Sequence, residues 1–250
     1  MKYYVASDIH SFYSIFRQAL EQAGYFDDPE PHQLLLLGDY LDRGPEPLET
    51  IAFLQEELAK GKLLMIRGNH EDLYQLLVTE DHGFPFRHHL HNGTYETALK
   101  LTGYPEDEAL EHRRTFCEKA IHTDFYQKLL PEMMNYYETP HYVFVHGWVP
   151  CEILGEKSVA FMENWREADC LDWDRARWIN GMAAARQMTV PGKTVVCGHW
   201  HTSYGHSKLE GKGSEFGEDA DFSPYEAPGV LAIDACTCHS HRVNVVILED

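Results

Sequence analysis

Short runs of apolar and β-branched residues punctuate the chain at Tyr3–Ser7, Leu34–Leu37, Leu63–Ile66, Tyr142–Val145, Thr194–Cys197, Val230–Ile233 and Val243–Leu248. Each is of strand length, which predicts seven buried strands. Between the first three, Phe12–Ala23 and Pro47–Lys60 carry their apolar residues at helical spacing. The opening third therefore reads β-α-β-α-β, the pattern of a parallel sheet with helical crossovers. From Glu71 to Tyr137 no run is strand-like. Helix-favouring stretches broken at Gly83-Phe84-Pro85, Asn92-Gly93 and Gly103-Tyr104-Pro105 predict a helical insertion over about residues 72–138. A second helical stretch is expected from Val159 to Met188, and Gly211–Gly229, rich in glycine, acid and proline, reads as a surface loop. No repeat or linker interrupts the pattern, so residues 1–250 are read as a single domain.

Composition narrows the classes. A chain of 250 residues that is 44% hydrophobic is long enough to bury a full core. Its longest apolar runs, such as Leu34–Leu37, fall far short of the roughly 20 residues of a membrane span, so no membrane association is expected. Met1-Lys2 leads directly into the first apolar run without a signal-peptide core. Six scattered cysteines lack a CxxC pair and read as reduced thiols, with Cys236 and Cys238 as strand-end thiols. The expected compartment is the cytoplasm. A formal charge of −19 argues against a long nucleic acid as partner, since a polyanion is held by clustered Lys and Arg. An anionic substrate must find a local positive site. The 16 histidines are the unusual count, because imidazole is the commonest metal ligand near neutral pH.

The polar residues that carry chemistry fall immediately after predicted strands, where an open α/β sheet places its ligands. The loops are Ser7-Asp8-Ile9-His10, then Gly38-Asp39-Tyr40-Leu41-Asp42-Arg43-Gly44, then Arg67-Gly68-Asn69-His70-Glu71, then His146-Gly147, then Gly198-His199-Trp200-His201. Two divalent cations about 4 Å apart need mixed oxygen and nitrogen ligands and usually one bridging carboxylate. These loops supply that set.

In this order the motifs resemble those of the calcineurin-like metallophosphoesterase superfamily, and GDYLDRG and RGNHE resemble its phosphoprotein phosphatase branch in particular. The resemblance implies an α/β fold of two packed mixed β-sheets flanked by helices, an α/β/β/α sandwich, here with the helical insertion. Position by position, it implies that Asp8 and His10 bind a first metal, Asp39 bridges, and Asn69, His146 and His199 bind a second, with His201 completing the first. It further implies that Asp42 orients His70, which protonates the leaving oxygen, and that Arg43 grips the substrate phosphate. A second phosphate-binding arginine is expected before the last motif, at Arg177, with Arg175 in reserve. The cofactors implied are two divalent or transition-metal ions, manganese first, with iron, zinc, nickel or cobalt accepted by the same ligand mixture. Such ions add +4 against −2 from Asp8 and Asp39, leaving a positive centre inside an acidic protein.

Several features depart from the eukaryotic protein phosphatases. Ser7 and Ser11 flank the first motif where glycines are usual, and Ser11 is placed to cap the helix that follows. The second histidine of GHWH belongs to other branches, and Ile233-Asp234-Ala235-Cys236-Thr237 lacks the usual substrate-groove sequence. The chain looks more like compact bacterial members similar to phosphoprotein phosphatases and diadenosine tetraphosphatases. The expected activity is hydrolysis of a phosphate monoester, phosphoprotein or small molecule, by a two-metal-activated hydroxide. A dinucleoside polyphosphate is the alternative substrate. A phosphodiesterase or nuclease, and a non-catalytic metal-binding module, are the rivals. Arg67 reads as an ion-pair residue, and His88, His89, His91, His206, His239 and His241 read as surface histidines.

Overall fold

A computed structural model describes residues 1–79, 86–155 and 158–250; the predicted break at 83–85 lies outside the described residues. The strands are β1 (Lys2–Ala6), β2 (His32–Leu36), β3 (Leu63–Met65), β4 (Tyr137–Glu138), β5 (Tyr142–Phe144), β6 (Cys151–Ile153), β7 (Val159–Phe161), β8 (Thr194–Cys197), β9 (Tyr225–Ala227), β10 (Val230–Ala232) and β11 (Val246–Glu249). One sheet has the order β11-β1-β2-β3, a second β4-β5-β8-β10-β9, and β6-β7 form a separate ribbon. In the first sheet β1, β2 and β3 are parallel and β11 is an antiparallel edge. In the second, β5, β8 and β10 are parallel and β4 and β9 are antiparallel edges.

The sandwich follows from which side chain each strand sends to which face. Successive residues of a strand point to opposite faces. Tyr3, Val5, Leu35, Leu37 and Ile66 from the first sheet meet Phe144, Val196 and Ile233 from the second, forming the layer between them. Tyr4, Ala6, Leu34 and Leu36 point the other way, into a cluster with Phe16, Leu20 and Leu54 of helices α1 (Tyr13–Ala23) and α2 (Pro47–Ala59). Val143, Val145, Val195 and Cys197 likewise leave the second sheet to pack on Trp148, Trp165 and Trp173. Both faces of each sheet are buried, and for that reason the strands read as continuous apolar runs instead of alternating ones.

Helix α3 (Asn69–Val78) opens the helical region, followed among the described residues by α4 (Arg87–Asn92), α5 (Thr94–Thr102), α6 (Glu106–Ala109) and α7 (Arg113–Ala120). Its inner side belongs to the α1–α2 cluster through Tyr95, Ala98, Phe116 and Phe125. It also braces a site loop: Thr94 Oγ1 donates to Asp42 Oδ2 at 2.8 Å and Lys100 Nζ to the Gly44 carbonyl at 3.2 Å. His89, expected at the surface, is buried, and burial lowers its pKa to about 4.

Four strands escaped the apolar pattern. Val159 to Met188 is not one helix: Val159–Phe161 pairs with Cys151–Ile153, and helix resumes over Cys170–Ala176 and Gly181–Ala185. The restarts are set by Asp169 and Asn180, whose side chains accept the Asp172 and Ala183 N–H groups. Gly211–Gly229 contains β9, whose flanking Pro224 and Pro228 are tolerated because it is an edge strand. Ser11 does not cap α1; the Ser14 N–H goes instead to Glu46 Oε2 at 2.9 Å. Among the described residues no helix is long and apolar enough to cross a membrane.

Leu35 is fully buried between the sheets. Leu35→Ala is expected to lower stability by about 2–5 kcal/mol, read from the urea midpoint. A loss well below that range would mean the two sheets do not share a close-packed layer.

Candidate metal centre and active site

The parallel strands β1, β2, β3, β5 and β8 end at a common edge, and the loops that leave them are cross-linked there. Asp8 N–H donates to the Gly38 carbonyl (3.2 Å), His10 N–H to the Asp39 carbonyl (3.0 Å) and Gly198 N–H to the His146 carbonyl (2.7 Å). His199 N–H donates to Asp8 Oδ2 and His70 N–H to Asp39 Oδ1, both at 3.0 Å. Among the described residues nine non-glycine residues have positive φ, and Asp8, His10, Ser11, Asp39, Asp42, Arg43 and His199, all in these loops, are seven of them. Such a conformation costs about 1–3 kcal/mol each and persists only where surrounding contacts hold it. Glycine is needed at two close approaches. A Cβ on Gly68 would run into Asp39 Oδ1, and one on Gly198 into Asp8 Oδ2.

Asp39 is the centre of the constellation. Its Oδ2 lies 3.7 Å from His10 Nε2 and 3.8 Å from His70 Nε2, and its Oδ1 lies 3.3 Å from His146 Nε2. His10, Asp39 and His70 form one group with ligand-capable atoms within 4.8 Å of one another; Asp39, His146 and His199 form a second. Asn69 Oδ1 is 2.8 Å from His146 Nε2. His146 Nδ1 must carry its proton, because it donates to the Leu37 carbonyl at 2.6 Å. Its Nε2 is then a bare lone pair facing two oxygen acceptors. Burial holds the pKa of His146 well below the usual histidine range, so a second proton does not resolve the clash. A cation does. The arrangement repeats at His10, whose Nδ1–H donates to the Leu41 carbonyl at 3.0 Å, and whose Nε2 accepts from Arg43 Nη1 at 2.9 Å. Orienting a histidine through its other nitrogen is how proteins prepare it for a metal.

Electrostatics agree. Burial, then the nearby Arg43, keeps His10 neutral, and burial pushes His199 down to about 3. Burial and, after it, the Asp234 charge raise Asp8; burial and, after it, the Asp8 and Glu71 charges raise Asp39. Buried carboxylates gathered around neutral imidazoles are poorly compensated, and bound cations reverse that balance. The donor set therefore fits a pair of divalent or transition-metal ions.

His70 Nδ1 lies 2.6 Å from Asp42 Oδ2, and its Nε2 accepts from Arg43 Nη2 at 3.0 Å, so Asp42, His70 and Arg43 stand together at the cluster. His201 stands outside both groups: its Nδ1 is 2.9 Å from Ser203 Oγ and its Nε2 3.4 Å from Glu215. Arg177 is buried and held by Asp72 (2.9 Å), Asp174 (2.7 Å) and Asn135 (2.7 Å), and Arg175 is exposed against Asp172. Arg67 pairs with Asp72 at 2.6 Å, as its ion-pair reading expects.

Motif reading assigned no role to Glu71. Its buried carboxylate takes the Gly68, Asp39 and Tyr40 N–H groups at 2.8, 2.9 and 3.1 Å, so one side chain sets two site loops, and burial raises its pKa to about 7. Its place three residues into α3 was the available signal. Thr237, which donates to the Asp8 carbonyl at 2.8 Å, and Trp178, edge-on to the His199 ring at 5.7 Å, had none.

The sequence model of one family, described as calcineurin-like phosphoesterase, matches residues 1–242. A symmetrical bis(5'-nucleosyl)-tetraphosphatase of Aromatoleum aromaticum is 24% identical over all of this chain and 94% of its own length. Serine/threonine-protein phosphatase 1 of Salmonella typhimurium is 34% identical over 28% of this chain and 30% of its own. The cold-active protein tyrosine phosphatase of a psychrophilic Shewanella superposes with a TM-score of 0.55 at 14% identity, covering 100% of this chain and 75% of that one, a likeness of fold.

Glu71→Gln places an amide N–H₂ against the backbone donors. It is expected to weaken manganese binding about 10–100-fold, measured by calorimetry, while circular dichroism stays that of the parent. Parent-like manganese affinity would rule out the support role of Glu71.

Proposed function

Because the chain belongs to the calcineurin-like phosphoesterase family, we propose that it hydrolyses the anhydride bonds of dinucleoside polyphosphates by direct attack of water, without a phosphoenzyme. Hydrolysis of phosphate ester or anhydride bonds is the family's chemistry. One observation carries the narrower substrate class: the relationship to the Aromatoleum tetraphosphatase spans both chains almost end to end, whereas that to the Salmonella protein phosphatase covers less than a third of either. The motifs GDYLDRG and RGNHE keep a phosphomonoesterase, acting on a phosphoprotein or small molecule, as the second reading.

In this reading Asp8 and His10 hold one ion, Asn69, His146 and His199 the other, and Asp39 stands between them. His201, directed to Glu215, is left outside. When bound, the ions supply Lewis acidity and lower the pKa of a water. Arg43 is the exposed cation beside the cluster and receives the phosphoryl oxygens. Arg177, committed to two carboxylates and an amide, is read as positioning the wall of the site. His70 presents Nε2 to the cluster while Asp42 holds Nδ1–H; a proton taken up at Nε2 is stabilised by Asp42 and passes to the leaving oxygen.

Protein stripped and reloaded with manganese should hydrolyse diadenosine tetraphosphate with a higher kcat/KM than nitrophenyl phosphate, bis-nitrophenyl phosphate or a phosphoserine peptide. Preference for the peptide would replace the first reading with the second. His70→Asn should lower kcat about 10²–10⁴-fold on an alkyl phosphate. The loss should be smaller on the anhydride, whose leaving oxygen needs the proton less. Equal losses on both would argue against proton donation by His70.

A further inference from the structure

Beside Asn69 a cavity of about 460 Å³ opens at the edge of the Asp39 cluster. This is a volume in the range of small-molecule sites. Trp178 lines it and is 49% exposed, and its ring meets that of His199 edge-on at 5.7 Å. That ring contact ties the rim to the reaction centre.

The cavity mixes apolar and polar lining and carries no net charge. Its two arginines are matched by its two aspartates: Arg67 pairs with Asp72, and Arg177 with Asp72 and Asp174. A phosphate gains little from such a wall. The pairing has a second effect, on two exposed amides. Asn135 Oδ1 accepts from Arg177 Nη2 at 2.7 Å and Gln75 Oε1 accepts from Arg67 Nη2 at 2.5 Å. Each amide is thereby oriented by its arginine, and its N–H₂ donors have no acceptor among the described residues. The cavity thus combines an exposed indole face, a neutral lining and fixed donors, within reach of a phosphate-cleaving centre.

Building on the dinucleoside polyphosphate reading above, we infer that this cavity is a nucleobase subsite. A purine base of the substrate stacks on Trp178, and its ring nitrogens or carbonyl accept from the Asn135 and Gln75 amides. Stacking of a base on an aromatic side chain is worth about 1–3 kcal/mol, roughly 5- to 150-fold in affinity. The occupant is a flat, uncharged heterocycle with acceptor atoms, joined to the phosphates that Arg43 receives.

The test compares ligands that differ only in the base. Calorimetry on the manganese-loaded protein is expected to give AMP at least ten-fold tighter binding than ribose 5-phosphate. In Trp178→Ala the two should converge, and Trp178→Phe should restore most of the gap. Kinetically, the ratio of kcat/KM for diadenosine tetraphosphate to that for nitrophenyl phosphate should fall at least ten-fold in Trp178→Ala. Equal binding of AMP and ribose 5-phosphate by the parent overturns the subsite, as does a gap that survives Trp178→Ala. Failure of the wider reading looks different. A parent that cleaves nitrophenyl phosphate and not diadenosine tetraphosphate, yet prefers AMP to ribose 5-phosphate, keeps the subsite and changes the reaction it serves.

Discussion

Asp39 is buried where the ends of two packed sheets meet, and its oxygens face imidazole nitrogens on both sides: His10 and His70 near Oδ2, His146 near Oδ1. Carbonyl groups of the β2 run and its loop, Leu37 and Leu41, hold the far nitrogens of His146 and His10. The lone pairs aimed at the centre therefore cannot be quenched by turning the rings. Among the described residues Arg43 alone donates to the His10 and His70 nitrogens, and an interior that gathers so many acceptors around so few donors is poorly compensated as it stands. Two cations convert the same geometry into a matched site. The strained loops, the neutral histidines and the raised carboxylates are what a site built to receive such ions would show.

The rest of the fold supplies the rigidity this requires. Alternate residues of β1 and β2 bind the first sheet to its helices on one side and to the second sheet on the other. The ends of β1, β2, β3, β5 and β8 are thus held in register with one another across the sandwich. Glu71 fixes two of the loops from below through three backbone N–H groups, and the helical region fixes Asp42 from the side through Thr94. A carboxylate inside the protein here does the work of a turn. The acidic exterior is no obstacle to an anionic substrate, because screened surface charge falls off within about 10 Å while bound ions and Arg43 would act at contact.

What the sequence made legible follows from how local the cause is. A strand buried on both faces announces itself as an apolar run, and the seven such runs are strands. Residues that follow those strands were singled out for the site because the loops are short and the motifs lie within them; the structure draws Asp8, His10, Asp39, Asn69, His70, His146 and His199 to one edge. Elements set by distant partners stayed hidden. Val159–Phe161 is a strand only because Cys151–Ile153 lies beside it, and Tyr225–Ala227 only because β10 offers an edge. His89 looks like one member of a surface histidine cluster, yet it faces inward. His201 and Arg177 were placed by family pattern alone, and here each has other company: Glu215 and Ser203 for the histidine, Asp72, Asp174 and Asn135 for the arginine.

The commitment of Arg177 bears on how the site chooses among phosphates. An arginine free to clamp a second phosphoryl oxygen would favour any phosphomonoester, with little regard to what the phosphate is attached to. Anchored by two carboxylates, it instead neutralises the wall next to Asn69 and turns the Asn135 amide outward. In the proposed reading, grip on the reacting phosphate then falls to the ions and Arg43, which are common to every substrate. Discrimination would then pass to the neutral cavity and to Trp178, which in the same reading touch only the part of the substrate that is not phosphate. That division, a shared charged centre beside an uncharged wall, is the arrangement in which affinity for the leaving group can decide the substrate without altering the chemistry.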